Sequence, residues 1–170
     1  MKKFITLLAG IILLITMINW FNSSKKYKDI SHYSDSWSIA EGKHEGNTMF
    51  LRYRKEAKEM AGHPDLPFQI GVAIPLLHPN EQKLPTNEEM EQLNSIEDDL
   101  VQTLKKDQSV FDVLVITTNN MREFVFYAKE WKPEYYENQV KEVEKRHREH
   151  LLQFIMQEDK KWSNVTSLIP

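Results

Sequence analysis

Two arginines on one alternating segment are the residues of this 170-residue chain whose types and spacing best suit binding chemistry. Arg52 and Arg54 stand two positions apart in TMFLRYR (48–54), so in a strand their side chains project from one face together with Phe50. Two adjacent guanidiniums can bind a carboxylate or phosphate ligand through paired hydrogen bonds. The same pair can instead neutralise acids on a neighbouring strand, and the sequence leaves both alternatives open.

Arg122 and Tyr127 complete this candidate site. They belong to MREFVFYA (121–128), whose aromatic and β-branched residues are typical of a strand. We expect these two side chains and the arginine pair to lie near the sheet face that carries no helix, where they would bind a protein or a small anionic ligand. The predicted ligand-binding residues are therefore Arg52, Arg54, Arg122 and Tyr127.

Other site chemistries find little support in the residue types. The chain has no cysteine, which excludes disulfides, thiolate metal sites and cysteine nucleophiles. His147 and His150 follow Glu144 closely, but no H-E-x-x-H pattern is present, and we predict no metal site. The carboxylates around Glu88 and Glu97 fit the first turn of a helix and a solvated helix face. We predict no catalytic residue and no cofactor.

The elements that must position these side chains follow from periodicity. Alternation predicts strands over 68–74 and 151–157, whereas apolar residues recur at helical spacing after a capping box that begins at Thr86. Pro133 suits the first turn of a second helix. The other predicted strands are 37–41, 48–54, 109–117 and 121–128, and the first predicted helix is 87–106.

From residue 68 onward the predicted order is strand, helix, strand, strand, helix, strand. This order predicts an α+β fold of the ferredoxin-like split βαβ type (β-α-β-β-α-β), with both helices on one face of an antiparallel sheet. The two strands before residue 68 form an extra N-terminal β-hairpin, which would extend the sheet or fold over it. An N-terminal hydrophobic helix precedes this domain.

The N-terminal segment differs in composition from the rest of the chain. Phe4 to Phe21 are 18 uncharged residues, about 27 Å as a helix and just enough to span a bilayer. We predict that residues 1–24 form a transmembrane anchor or a signal segment, with 25–36 a polar tether and 37–170 the domain. Because a very short N-terminal tail usually stays in the cytoplasm, we expect an extracytoplasmic body; secretion after signal cleavage is the alternative.

The charge distribution argues against a nucleic-acid partner. Residues 1–28 contain five lysines and no acid, so the remaining chain has 17 Lys and Arg against 25 Asp and Glu, a formal charge of −8. A body this acidic repels phosphates. We predict contact with a membrane through residues 4–21 and no binding of nucleic acid.

From about Trp37 to Pro170 the chain resembles the bacterial family called domain of unknown function 695. The resemblance rests on the opening Trp37, the strand with Arg52 and Arg54, LNSIEDDL (93–100), TTNNMREFVFY (117–127), and the ending with Asp159, Trp162 and Pro170. Asn120 stands where family members usually have a glycine. The resemblance implies no established activity. In some proteins a similar domain lies beside one resembling regulator of ribonuclease activity B, which implies a binding or regulatory role.

We therefore interpret the chain as a membrane-tethered, non-enzymatic binding or regulatory domain. One alternative is an exported enzyme of unidentified activity, for which hydrolysis is one candidate reaction. The other is a cytoplasm-facing protein regulator. An enzyme should contain a deep pocket with titratable side chains of shifted pKa, whereas a binding domain should present an exposed apolar or mixed patch.

Overall fold

The computed structural model describes residues 27–106 and 108–170 of the chain. These residues form one six-stranded antiparallel sheet and four α-helices, which confirms the predicted α+β class. All six strands belong to the compact unit Tyr33–Pro170, and the described residues before it contain a 3-10 turn, Ile30–His32. The predicted membrane segment 4–21 lies outside the described residues, among which no helix is long and apolar enough to cross a membrane.

The bounds of the elements agree with the predicted ones to within a few residues. The strands are β1 (Trp37–His44), β2 (Asn47–Arg54), β3 (Phe68–Pro75), β4 (Val110–Thr118), β5 (Met121–Ala128) and β6 (Gln153–Glu158). The helices are α1 (Ala57–Met60), α2 (Asn87–Leu104), α3 (Pro133–Arg146) and α4 (Ser163–Thr166). The sequence pattern predicts neither α1 nor α4, because a four-residue helix is too short to show a 3.6-residue period.

The strands lie in the order β1-β2-β4-β5-β3-β6, and each neighbouring pair is antiparallel. The N-terminal hairpin β1–β2 therefore extends the sheet beside β4 rather than folding over it. Its two-residue turn has positive φ at Glu45 and Gly46, and so does the β4–β5 turn at Asn119 and Asn120. Two positive φ values are typical of the turns that match the natural twist of a hairpin.

The main core lies between one face of the sheet and the long helices α2 and α3. Thr86 begins α2 as predicted, because its Oγ1 accepts the backbone N–H of Glu89 at 3.3 Å. The Glu89 carboxylate accepts the backbone N–H groups of Leu77 and His78, which ties the loop after β3 to the helix. The fully buried members of this core include Ile70, Val72, Ile74, Leu93, Ile96, Leu100 and Val143.

The opposite face of the sheet is partly covered, which corrects the expectation of a face without helices. Trp162, just before α4, is fully buried and stacks on Tyr127 of β5, with ring centroids 3.8 Å apart and planes 11° apart. Its Nε1–H donates to the carbonyl of Leu66, in the segment that follows α1. The two short helices and their flanking segments therefore form a second, smaller core on this face.

Candidate functional site

The three predicted arginines come together, but on the side of the sheet that α2 covers. Directly opposed residues of antiparallel strands share a face. Arg52 lies opposite Val115 and Arg122 lies opposite Ile74, and both of these apolar residues belong to the main core. The expectation that the arginines lie near the helix-free face is wrong, because alternation shows which residues share a face but not which face receives the long helices.

One carboxylate of α2 joins two of these arginines. Glu97 forms an ion pair with Arg52 through Oε1 and accepts a hydrogen bond from Arg122 Nη2 at 3.0 Å through Oε2. The same Nη2 also contacts Asn94 Oδ1 at 3.3 Å. Burial lowers the pKa of both arginines, and the charge of Arg122 lowers that of Arg52 further. Glu97 therefore offsets two cations that would otherwise repel each other.

Arg54 is the most buried of the three, with 3% of its side chain exposed. Its Nε donates to the backbone carbonyl of Asp112 at 3.0 Å, and its Nη2 donates to the Asp112 carboxylate at 2.7 Å. Lys105 donates to the same carboxylate at 2.6 Å. Although burial raises the pKa of Asp112, the hydrogen bond from Lys105 and the charge of Arg54 outweigh it and hold that pKa below its usual value.

The surface beside these ion pairs is acidic rather than basic. The guanidiniums of Arg52 and Arg54 each lie 4.8 Å from the ring centroid of Trp37, which adds cation–π contacts. The open cleft of about 510 Å³ beside them is lined by Asp35, Glu97, Asp98, Asp99 and Asp112, together with Trp37, Arg52, Val101, Gln102 and Lys105. The arginine pair could either neutralise internal acids or bind an anionic ligand, and the structure contains the ion pairs with internal acids. Binding of an anion stays a prediction.

Tyr127 lies apart from the arginines, on the other face of the sheet. It is fully buried beneath Trp162, and its hydroxyl donates to Asp159 Oδ2 at 2.8 Å. Burial and this hydrogen bond raise the pKa of Tyr127. Asp159 also accepts the backbone N–H groups of Ser163 and Asn164 at the start of α4. Tyr127 thus anchors the C-terminal segment against the sheet.

The histidine pair forms separate contacts. His147 Nε2 lies 2.8 Å from Asp99 Oδ2, and His150 Nε2 lies 3.1 Å from Gln92 Oε1. Hydrogen bonds from His147 and Arg146 lower the pKa of Asp99. In the described part of the chain, no group of three or more side chains could hold a metal ion.

A concavity that the sequence did not reveal remains on the partly covered face. We call it the open-face pocket; its volume is about 230 Å³. Its lining residues are Gln69, Gly71, Leu114, Ile116, Glu123, Val125, Ile155, Gln157, Asn164, Val165 and Leu168. Gly71 shapes the floor, because a Cβ at this position would lie 2.9 Å from Ile155 Cγ2. A side chain here would push Ile155 away from the sheet.

Among the residues that the structure describes, Glu123 is the single ionisable one in the lining of this pocket. It lies on β5 between Ile116 of β4 and Ala73 of β3, and it is half-buried. Burial raises the pKa of Glu123, and the charge of His44 offsets part of that rise. No hydrogen bond or ion pair joins its carboxylate to any of the residues that the structure describes.

Three amide side chains form the far end of the pocket. Gln69 Oε1 accepts hydrogen bonds from Gln157 Nε2 at 2.6 Å and from Asn164 Nδ2 at 2.7 Å. The carbonyl oxygens of Gln157 and Asn164 have no hydrogen-bond partner within 27–106 or 108–170. Two features of the sequence could have indicated this pocket: a glutamate, Glu123, in an otherwise apolar hairpin, and a glycine, Gly71, within a strand. No feature of the sequence indicated that Asn164 would line it.

The comparisons with known proteins identify a family and nothing beyond it. A family model described as a family of unknown function (DUF695) matches residues 35–168, nearly the whole described domain. No curated protein and no solved structure matches the chain.

Proposed function

Because the chain belongs to the family of unknown function DUF695, we propose its function from its own geometry: it is a non-enzymatic binding domain, and the open-face pocket is its binding site. One observation carries this proposal. The carboxylate of Glu123 lies half-buried in a concavity lined mainly by apolar side chains, and no hydrogen bond or ion pair joins it to any residue that the structure describes. An unpaired, partly desolvated carboxylate weakens folding, and a ligand that pairs with it would offset this cost.

The lining of the pocket supports binding rather than catalysis. Many general acid–base mechanisms pair an acid with a base, and covalent catalysis uses a nucleophile with an adjacent base. The lining residues other than Glu123 are aliphatic side chains, amides and a glycine. These groups can hold a ligand by apolar contact and hydrogen bonds, but they transfer no proton at neutral pH.

The arginines support a structural role beside this site. Each of Arg52, Arg54 and Arg122 contacts an internal carboxylate, and five acids line the neighbouring cleft. A small anion would have to compete with those carboxylates. The predicted anionic ligand is therefore the weaker alternative to a partner at the open-face pocket.

We also propose the finer architecture and the setting of the domain. The order β4-β5-β3-β6, with α2 after β3 and α3 after β5, supports the ferredoxin-like split βαβ arrangement. The apolar run of residues 4–21 supports a membrane tether with an extracytoplasmic body, or secretion after signal cleavage.

A fragment screen by NMR tests the binding site. The purified, isotope-labelled full chain in detergent micelles is screened against small neutral, cationic and anionic fragments. We expect the shifted backbone amides to cluster around Gly71 and Val125. The variant Leu168→Trp, which fills the pocket, should remove these shifts, whereas the matched control Ile39→Trp, at an exposed position of β1, should keep them.

Two results would contradict the proposal. Fragment shifts that cluster around Arg52 and Trp37 would place the binding site at the acidic cleft. Shifts that persist unchanged in Leu168→Trp would show that the fragments do not occupy the open-face pocket.

A further inference from the structure

The polar side chains of the open-face pocket are one carboxylate and three amides, and they leave several hydrogen-bond acceptors free. The carboxylate of Glu123 and the carbonyl oxygens of Gln157 and Asn164 are hydrogen-bond acceptors, and none of them has a partner among the described residues. Both Gln157 and Asn164 direct an N–H to Gln69 and keep a second one. The one formal charge that the described residues bring to the lining is negative. This arrangement favours a cationic ligand that donates hydrogen bonds.

The acceptors lie at opposite ends of an apolar floor. Leu114, Val125, Gly71 and Ile155 are successive neighbours across four strands and form one row of the sheet. Glu123 belongs to the row on one side of this floor, and Gln157 belongs to the row on the other side. Four residues along a strand separate these two rows, roughly 13 Å at about 3.3 Å per residue, and both residues line the pocket.

The size of the pocket limits the ligand. Ligand pockets for drug-sized molecules usually enclose about 300–1,000 Å³. The open-face pocket, at about 230 Å³, suits a small amine or one long side chain. Ile155, at the end of the floor row, is 57% exposed and offers an apolar surface to an aliphatic stem.

We propose that the open-face pocket binds an alkylammonium group on an extended aliphatic stem that carries a second N–H donor at its other end. Glu123 is the counter-ion of the ammonium group, the row of Leu114, Val125 and Ile155 contacts the stem, and the carbonyls of Gln157 and Asn164 accept the second donor. A free diamine has this chemistry, and so does a lysine side chain together with its own backbone amide. This inference rests on the proposed function, because it names the ligand class of the same pocket.

The test uses probes that share one length and differ in their end groups. The full chain in detergent micelles is titrated by NMR with 1,5-diaminopentane, with its neutral analogue 1,5-pentanediol and with the dianion glutarate. We expect saturable shifts around Gly71 and Val125 with the diamine and at least tenfold weaker binding of the other two. Glu123→Gln should weaken diamine binding at least tenfold, whereas Glu41→Gln, a matched change at an exposed position of β1, should not.

The outcomes separate this inference from the proposed function. If the diol or glutarate binds in the pocket as tightly as the diamine, the pocket is a binding site but the cation inference is overturned. The cation inference is also overturned if Glu123→Gln leaves diamine binding unchanged, or if the diamine causes no shifts at the pocket. The fragment screen tests separately whether the pocket is a binding site. The last probe is Nα-acetyl-lysine N-methylamide, which keeps a free ε-ammonium group. Tighter binding of this probe than of the diamine would support a lysine of a protein partner, and the reverse would support a free diamine.

Discussion

Replacement of Glu97 by alanine should destabilise the domain strongly, because this one carboxylate neutralises two arginines. Arg122, with 7% of its side chain exposed, would remain buried without a counter-ion, and removal of one partner from a buried pair costs about 3–5 kcal/mol. Arg122 would keep its contact with Asn94, which favours the lower end of this range. The pair with Arg52, whose side chain is 37% exposed, adds at most about 1 kcal/mol.

We therefore expect a loss of about 3–4 kcal/mol in the free energy of unfolding, measured by urea denaturation with tryptophan fluorescence. Asp98→Ala, a change at the exposed neighbouring position, should stay within about 0.5 kcal/mol of the wild type. The double variant Glu97→Leu/Arg122→Met removes both buried charges and should recover most of the loss. A loss below about 1 kcal/mol in Glu97→Ala, or a double variant as unstable as the single one, would refute this account of the network.

Three further predictions concern the other face and the hairpin. Burial raises the pKa of Glu123 in the folded state. The free energy of unfolding therefore falls as the pH rises from the ordinary pKa of glutamate through the raised pKa, because the folded state disfavours the ionised carboxylate. Glu123→Gln should therefore raise the melting temperature at pH 7, and the difference from wild type should vanish below about pH 4. A constant difference across this range would contradict a raised pKa for Glu123. Trp162→Ala should cost about 3–5 kcal/mol in urea unfolding, because it empties the centre of the smaller core, and a cost below about 1 kcal/mol would show that α4 is not anchored there. Asn120→Gly should stabilise the hairpin by up to about 1 kcal/mol, because glycine adopts the positive φ of 64° without steric cost, whereas Asn120→Val should destabilise it.

The regular part of the fold could be predicted from the sequence because local patterns determine it. Alternation predicted the strands that became β2 and β3, and Thr86 predicted the start of α2. Each of these signals depends on residues close together in the chain.

The site could not be predicted in the same way, because it depends on which face each element covers. The sequence showed that Arg52 and Arg54 share a face, but their partners Glu97 and Asp112 come 45 and 58 residues later. The C-terminal segment has no regular period, so nothing local indicated that Trp162 would cover Tyr127. The open-face pocket exists because that segment covers only part of the sheet.

The position of β3 in the sheet has a consequence for how the protein folds. Both neighbours of β3 follow it late in the chain, and the contact between Gln69 and Gln157 spans 88 residues. Pairings between such distant segments close large loops and slow the folding reaction. The walls of the open-face pocket come from β3, β6 and the segment after it, so a nascent chain cannot assemble the pocket until Leu168 has left the ribosome. Any ligand of the pocket would therefore meet only chains in which the whole of this domain has been synthesised.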